Sequence, residues 1–408
     1  MCVESKIMPT SVLVLRLHSI FAYLVFAFFT FKIAEKLTKS TALVIDIWLI
    51  CNLNPFLLDF FSLARGYGMA CAFLVASVFF VLENRWRTAF IFAGLATFSN
   101  FTFLHFFNAI LALYIIQLWL LPNDKQPLRT RIFKDFRSWF FVPIIYVVVL
   151  YFLHIIKQNG DLEYGGRYDL GADTLKTLID GFLYFKTLPI ESFKIGRLLF
   201  IIILLMQCLT VFYFHKNKKI LPLNLIFALT VDAMLSVFYM FKIPLPIDRT
   251  ALLLYPLGIL ATAELALLLP EKAQIPLFLP VTALFIFHFI QTANLSYCYN
   301  WRFNADIETI NKTIFIPRKF KNIGTGNCMD GSTLNYYNQV QPAEFSYKMP
   351  LVQGLNPDFN TKILIENLKT YDAVWINSDE KAILDEKGIV AKNIQVFPGS
   401  KTVVMWGF

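Results

Sequence analysis

Over the first 295 residues, apolar positions neither alternate with polar ones nor recur as a single helical stripe. They run almost unbroken for close to twenty residues, then yield to short charged or turn-forming clusters. A run of about twenty residues is what a helix needs to cross the hydrocarbon of a bilayer. The pattern predicts about ten spans, at roughly 11–31, 41–62, 66–82, 88–104, 105–121, 138–156, 197–214, 220–241, 250–270 and 274–295. The pair across 88–121, with only "NFTFLHFFN" between its halves, also fits a re-entrant hairpin.

After residue 296 the pattern changes. "NADIETINKTI" reads as an amphipathic helix, "YDAVWIN" as a short buried strand, "SDEKAILDEKG" as a helix with a Ser or Asp cap and a closing Gly, and "NIQVFPGSKTVVMWGF" as a terminal hairpin. The expected organisation is a multi-span domain over 1–295, interrupted by a polar loop at 157–196, and a small α/β domain over 296–408.

Composition turns that pattern into a class. With 57% hydrophobic residues, 43 Phe and only 16% charged residues, the chain lacks the polar surface to cover a water-soluble globule. The fold class expected is a polytopic α-helical membrane protein of about ten spans with a small C-terminal α/β domain.

Charge then orients it. One alternate set of short loops carries Lys32, Lys36, Lys39, Arg85, Arg87, Lys125, Arg129, Arg131, Lys134, Arg137, Lys216, Lys218, Lys219 and Lys272, fourteen in all; the other carries only Arg65, Lys242 and Arg249. The positive-inside bias makes the first set cytoplasmic, so the net charge of +9 is a topology signal and not a nucleic-acid footprint. The loop 157–196 and the tail from 296 then share the outer face with Arg65, His105, Asp248 and Arg249. Ten spans with an outer C-terminus put the N-terminus outside too, although "MCVESKIMPTS" holds no cleavable signal. The expectation is that a first helix and first outer loop are missing; a miscounted span is the alternative.

Arg65 and Arg249 are the candidates for chemistry. Arg65 stands between two apolar runs beside Tyr67, with Gly66 and Gly68 around it, and its planar fork suits phosphate oxygens while glycine lets backbone come close. The same guanidinium also serves as an anchor that snorkels to the headgroups. In "PLPIDRTALLLYPLG", Asp248 and Arg249 open a span after two prolines, as a ligand-binding pair or as an interfacial ion pair of little worth. Asp59 lies inside an apolar run six residues before Arg65, and a carboxylate at that depth calls for Arg65 or the outer loop as its partner.

The loop "QNGDLEYGGRYDLGADT" gathers Asp161, Glu163, Arg167, Tyr168, Asp169 and Asp173 with four glycines. Such a composition suits a loop folding over a sugar, and an acceptor hydroxyl needs a carboxylate base. A solvated connector would look the same. The six cysteines form no framework; Cys298 and Cys328 alone share the outer domain and form a candidate disulfide. No residue spacing marks a metal site, and sequons at Asn100, Asn294 and Asn311 match chance.

Several of these stretches together resemble the GT-C superfamily of membrane glycosyltransferases, in particular the bacterial group similar to dolichyl-phosphate-mannose mannosyltransferases. The family's "R-x-P-S" span start is matched by Arg16 to Ser19, with His18 where Pro is usual. Its "N-P" bend is matched by Asn54 and Pro55, and its outward "A-R-x-Y" by Ala64, Arg65, Gly66 and Tyr67. "DRTALLLYPL" is similar to its late "R-Y-x-x-P", at Arg249 and Pro256, and the tail to its C-terminal periplasmic domains.

The resemblance implies transfer of a hexose or pentose from a polyprenyl-phosphate carrier to a glycan, lipid or protein acceptor outside the bacterial cytoplasmic (inner) membrane. Arg65, Tyr67 and Arg249 would hold the carrier phosphate, supported by Asp59, His105, Arg167 and Asp248. The family's catalytic acid belongs to a first outer loop that this sequence begins after, so no catalytic residue is assigned; Asp169 and Asp173 are the weak substitutes. No cofactor is implied with certainty, and a divalent metal is left open. The partners expected are the lipid-linked sugar, its acceptor and membrane lipids, with no nucleic acid. The rival readings are an O-antigen polymerase or ligase, a non-catalytic assembly subunit, and a transporter.

Overall fold

Helix-forming apolar runs and the breaks between them account for the architecture. The structure, a computed structural model, describes residues 12–63, 65–120, 136–158, 166–217, 219–294, 297–320, 322–325 and 364–408. Two compact units emerge, one over Val12–Ala293 and the other containing Asn294–Phe408.

The first unit is helical. Its elements are α1 (Val12–Leu37), α2 (Thr41–Asn52), α3 (Pro55–Ser62), α4 (Gly66–Leu82), α5 (Trp86–Ser99), α6 (Leu104–Leu120), α7 (Phe141–Gln158), α8 (Lys176–Leu183), α9 (Ser192–Asn217), α10 (Pro222–Phe241), α11 (Leu254–Ala266) and α12 (Glu271–Thr292). Each apolar run read from the sequence falls on one of these or on a bent pair. Among the described residues six stretches are long and apolar enough to cross a bilayer: Arg16–Leu37, Phe101–Trp119, Ser192–Asn217, Pro222–Phe241, Asp248–Ala266 and Glu271–Thr292. The bent pair α2 and α3 would make a seventh. The expected ten is therefore too many. At a rise of about 1.5 Å per residue, the 17 residues of α4 and the 14 of α5 fall short of a hydrocarbon core of about 30 Å.

The break between α2 and α3 has a local cause. Asn54 caps α3 with its Oδ1 accepting from Leu57 N at 3.1 Å, and Pro55 fills the first helical position, where its missing N–H costs nothing. The two helices bend by 65° there. The result turns α3 and the Arg65 that follows it away from the axis of α2.

Helices α4 and α5 pack closely on each other, and α4 also packs on α1. Between α4 and α5 the contact is backbone on backbone at Gly66: an added Cβ would lie 2.0 Å from the Ser99 carbonyl oxygen. Gly68 is confined as well: an added Cβ there would lie 2.6 Å from the Phe60 carbonyl oxygen. These glycines let backbone come close, and the backbone against them is that of Ser99 and Phe60.

The helical unit also holds a two-stranded ribbon, β1 (Gly166–Arg167) with β2 (Leu245–Pro246), and the second unit is a mixed sheet of four further strands in the order β3, β4, β6, β5. Strand β3 (Ile323–Thr325) runs parallel to β4 (Ala373–Asn377); β6 (Thr402–Trp406) is antiparallel to both β4 and β5 (Asn393–Phe397). Alternation along β4 sends Ala373 and Trp375 into one core with Ile310, Ile314 and Phe315, and Val374 and Ile376 into another with Leu364 and Leu384. Both faces of β4 are therefore covered. The helix α14 (Ser378–Glu386) follows at once; earlier in this unit α13 (Ile307–Ile310) continues into a wide π-helical turn over Asn311–Phe315. The cap of α14 is Asn377, one residue before the expected Ser, in a reciprocal pair with Glu380: each side chain accepts from the other's backbone N–H at 2.8 Å. Asn311 is buried, which removes that sequon as an accessible glycosylation site. Cys328, the expected partner of Cys298, lies outside the described residues.

Burial raises the Glu380 carboxyl above its ordinary value, with the Asn377 hydrogen bond opposing and the Asp379 charge adding to the rise. A raised folded-state value means that the contribution is fully present below the unfolded value of about 4.3 and is lost as pH rises through the folded one. Unfolding of this unit, followed by Trp fluorescence, is expected to show stability declining with pH just above that range, and Glu380→Gln to flatten the decline while keeping the cap.

Candidate functional site

The turn from α3 to α4 is built by short-range bonds. Leu63 N donates to the Asp59 carbonyl at 3.1 Å, Ser62 Oγ to the same carbonyl at 2.7 Å, and Arg65 N to the Leu63 carbonyl at 2.8 Å. Ser19 Oγ of α1 donates to the Leu63 carbonyl at 2.6 Å and ties the turn to the first helix. Arg65 occupies the position before α4 with an extended backbone, and the Tyr67 ring packs 5.1 Å from that of Phe60. Arg65 is thereby fixed at one end of α4.

Arg249, from far along the chain, acts electrostatically on Arg65. It belongs to the short turn Asp248–Ala251, which follows β2 (Leu245–Pro246). The Arg65 guanidinium is drawn below its ordinary basicity by desolvation and then by the like charge of Arg249, while Tyr67 opposes both. Arg65 is exposed as a whole residue, so water screens both effects. A guanidinium stays protonated throughout. Arg65, Tyr67 and Arg249 thus form one electrostatic neighbourhood.

The segment that the sequence marked as a polar loop closes on this end of the helical unit. β1 (Gly166–Arg167) pairs antiparallel with β2, Gly166 opposite Pro246 and Arg167 opposite Leu245. Helix α8 then lies across both α3 and the 248–251 turn. Thr177 Oγ1 accepts from Asp248 N at 2.7 Å, and Gly181 sits so near the Phe56 ring that an added Cβ would come within 2.9 Å of it. Tyr184 Oη donates to Asp59 Oδ1 at 3.0 Å. Asp59 therefore bonds to the 157–196 segment, through a residue that sequence reasoning did not single out.

That last bond is held by an unusual backbone. Tyr184 and Phe185 both have positive φ, at 51° and 70°, and so does Asp248 at 52°. Each such non-glycine residue costs roughly 1–2 kcal/mol, which the surrounding contacts must offset. Tyr184 is buried, and its hydroxyl fixes the Asp59 carboxylate against α8. Tyr184→Phe is expected to cost about 1–2 kcal/mol and to raise amide exchange over 176–185, measured by hydrogen–deuterium exchange.

The other expected residues fall as follows. Asp169 caps the turn Leu170–Leu175, with Oδ1 accepting from Ala172 N at 2.7 Å, and Asp173 Oδ2 accepts from Asp169 N at 3.2 Å. Both carboxylates are engaged in local capping, which weakens them as substitutes for a catalytic acid. His105 lies in the first turn of α6, and its Nδ1 is buried with no hydrogen-bond partner. It follows Asn100, whose Oδ1 accepts from Thr102 N, and Ser99, the residue against Gly66. Tyr168 is exposed beside Phe238. Asp161, Glu163 and Ala64 lie outside the described residues. Among the described residues no three His, Cys, Asp or Glu side chains converge in a way that could hold a metal ion.

No family model, curated protein or solved structure matches the chain.

Proposed function

We propose that the chain is a membrane glycosyltransferase that moves a sugar from a polyprenyl-phosphate carrier to a glycan, lipid or protein acceptor on the outer face of the bacterial cytoplasmic membrane. The observation that carries this reading is the approach of Arg65 and Arg249, two permanent cations from distant parts of the chain, beside Tyr67 and under the 166–185 segment. Like charges drawn together on rigid elements suit a ligand bearing concentrated negative charge, and guanidinium forks suit phosphate oxygens.

Breaking the bond between the sugar's anomeric carbon and the carrier oxygen leaves the electron pair on the phosphate, whose charge grows from about one to two. Cations already in place stabilise that growth without having to reorganise. The membrane helices keep the carrier's tail in lipid while its phosphate waits at their ends. With Asp169 and Asp173 used as caps, Asp59 and Asp248 are the carboxylates to test as the acceptor's base. Reconstituted protein incubated with a radiolabelled polyprenyl-phosphate sugar and a hydroxylated acceptor should move label out of the carrier. Label that stays on the carrier with wild type, across hexose and pentose donors, would overturn the transferase reading.

A further inference from the structure

At the end of α4 remote from Arg65 lies a cleft of about 400 Å³, walled by Val81, Leu82, Ile220 and Pro222 and carrying three polar groups, Asn84, Gln117 and Lys219. The walls come from the last turn of α4, the last turn of the span Phe101–Trp119, and the approach to the span Pro222–Phe241. The ends of two candidate spans and of the shorter apolar α4 thus meet around it, and the ends of spanning helices are where a membrane protein meets lipid headgroups. The polar groups carry one positive charge and no negative one. Among the described residues, none of the three side chains is hydrogen-bonded or ion-paired within the protein, whereas nearby Lys36 pairs with Glu83 at 2.5 Å. Asn84 is further set in a left-handed conformation, φ 56°, just after α4.

We infer that this cleft binds the headgroup of an anionic phospholipid. Lys219 takes the phosphate, the Asn84 and Gln117 amides take the glycerol or phosphate oxygens, and the apolar walls take the first carbons of the acyl chains. Apolar walls around a few convergent polar groups are the common form of a ligand site, and basic clefts between spanning helices are suited to acidic headgroups. The charge excludes a cation, and the open apolar walls favour an amphiphile over a fully hydrated ion.

The test uses the full chain in a neutral detergent, with phosphatidylglycerol, phosphatidylcholine and inorganic phosphate as separate probes and native mass spectrometry as the readout. Phosphatidylglycerol should remain bound where phosphatidylcholine does not, and Lys219→Glu should weaken it about ten-fold, the scale of one charge-assisted contact. Gln117→Leu, which keeps the net charge, should weaken it by a smaller factor. Arg65→Ala should leave it unchanged, which separates this cleft from the carrier site. Equal retention of both lipids, no loss in Lys219→Glu, or inorganic phosphate competing as well as the lipid would each overturn the inference.

Discussion

Gly66→Ala is expected to be, with Gly196→Ala, one of the two most damaging single-methyl changes in the helical unit, since an added Cβ at Gly196 would likewise lie 2.1 Å from the Gly171 carbonyl oxygen. At Gly66 the added carbon would meet the Ser99 carbonyl oxygen at 2.0 Å, and neither partner can yield by rotating a side chain, because both are backbone. Helices α4 and α5 must separate by about an ångström or more, and α4 carries Arg65 at its start. Forced overpacking costs typically 1–3 kcal/mol, and a backbone clash belongs at or beyond the top of that range. An apparent melting temperature lower by about 5–10 °C, read from intrinsic fluorescence in detergent, is the expected result. Gly258→Ala is the control: its new Cβ would find only the Phe227 ring, at 3.7 Å, so that variant should melt within a few degrees of wild type. Similar losses in both would show that the α4 and α5 contact is not the cause.

How much of this was legible in the sequence depends on the range of the interaction involved. The apolar runs located the helices, because burial in lipid constrains every residue of a span. The bend at Asn54 and Pro55 was visible for the same local reason, since cap and proline act on neighbouring backbone. In the C-terminal unit, "YDAVWIN" and the terminal "NIQVF" and "TVVMW" became β4, β5 and β6, as their alternation and turn residues required. The span count failed where length decided: α4 and α5 are apolar but short, and composition alone does not separate a spanning helix from a buried one.

The site was less legible. Arg65 and Arg249 could each be singled out by charge in an apolar setting, but nothing local predicts that they share a neighbourhood; that follows from the packing of α8 and the β1 and β2 ribbon. Tyr184 gave no signal, because positive φ at a tyrosine leaves no glycine to mark it. The glycines beside Arg65 pointed to close backbone approach without saying what approaches. A flanking glycine looks the same in sequence whether it admits a ligand or a helix, and here it admits Ser99 and Phe60.

The second large effect concerns the two arginines together. If one phosphate bridges them, Arg65→Ala and Arg249→Ala should each lose about 1.5–3 kcal/mol of carrier binding, which is roughly ten-fold or more in affinity. The double variant should lose less than the two losses combined, because a phosphate deprived of one guanidinium can shift toward the other, and residues sharing a partner are not additive. Lowering the salt concentration should strengthen binding to wild type more than to either variant.

The measurement that bears most directly on the central claim is therefore the affinity of polyprenyl phosphate for wild type, Arg65→Ala, Arg249→Ala and the double variant, in nanodiscs of neutral lipid so that the bilayer supplies no competing anion. A ten-fold or larger loss in each single variant, with a less than additive loss in the double, is the result expected of two guanidiniums on one phosphate. Equal affinity in all four proteins would contradict the account and leave Arg65 and Arg249 as interfacial anchors of a membrane protein with some other task.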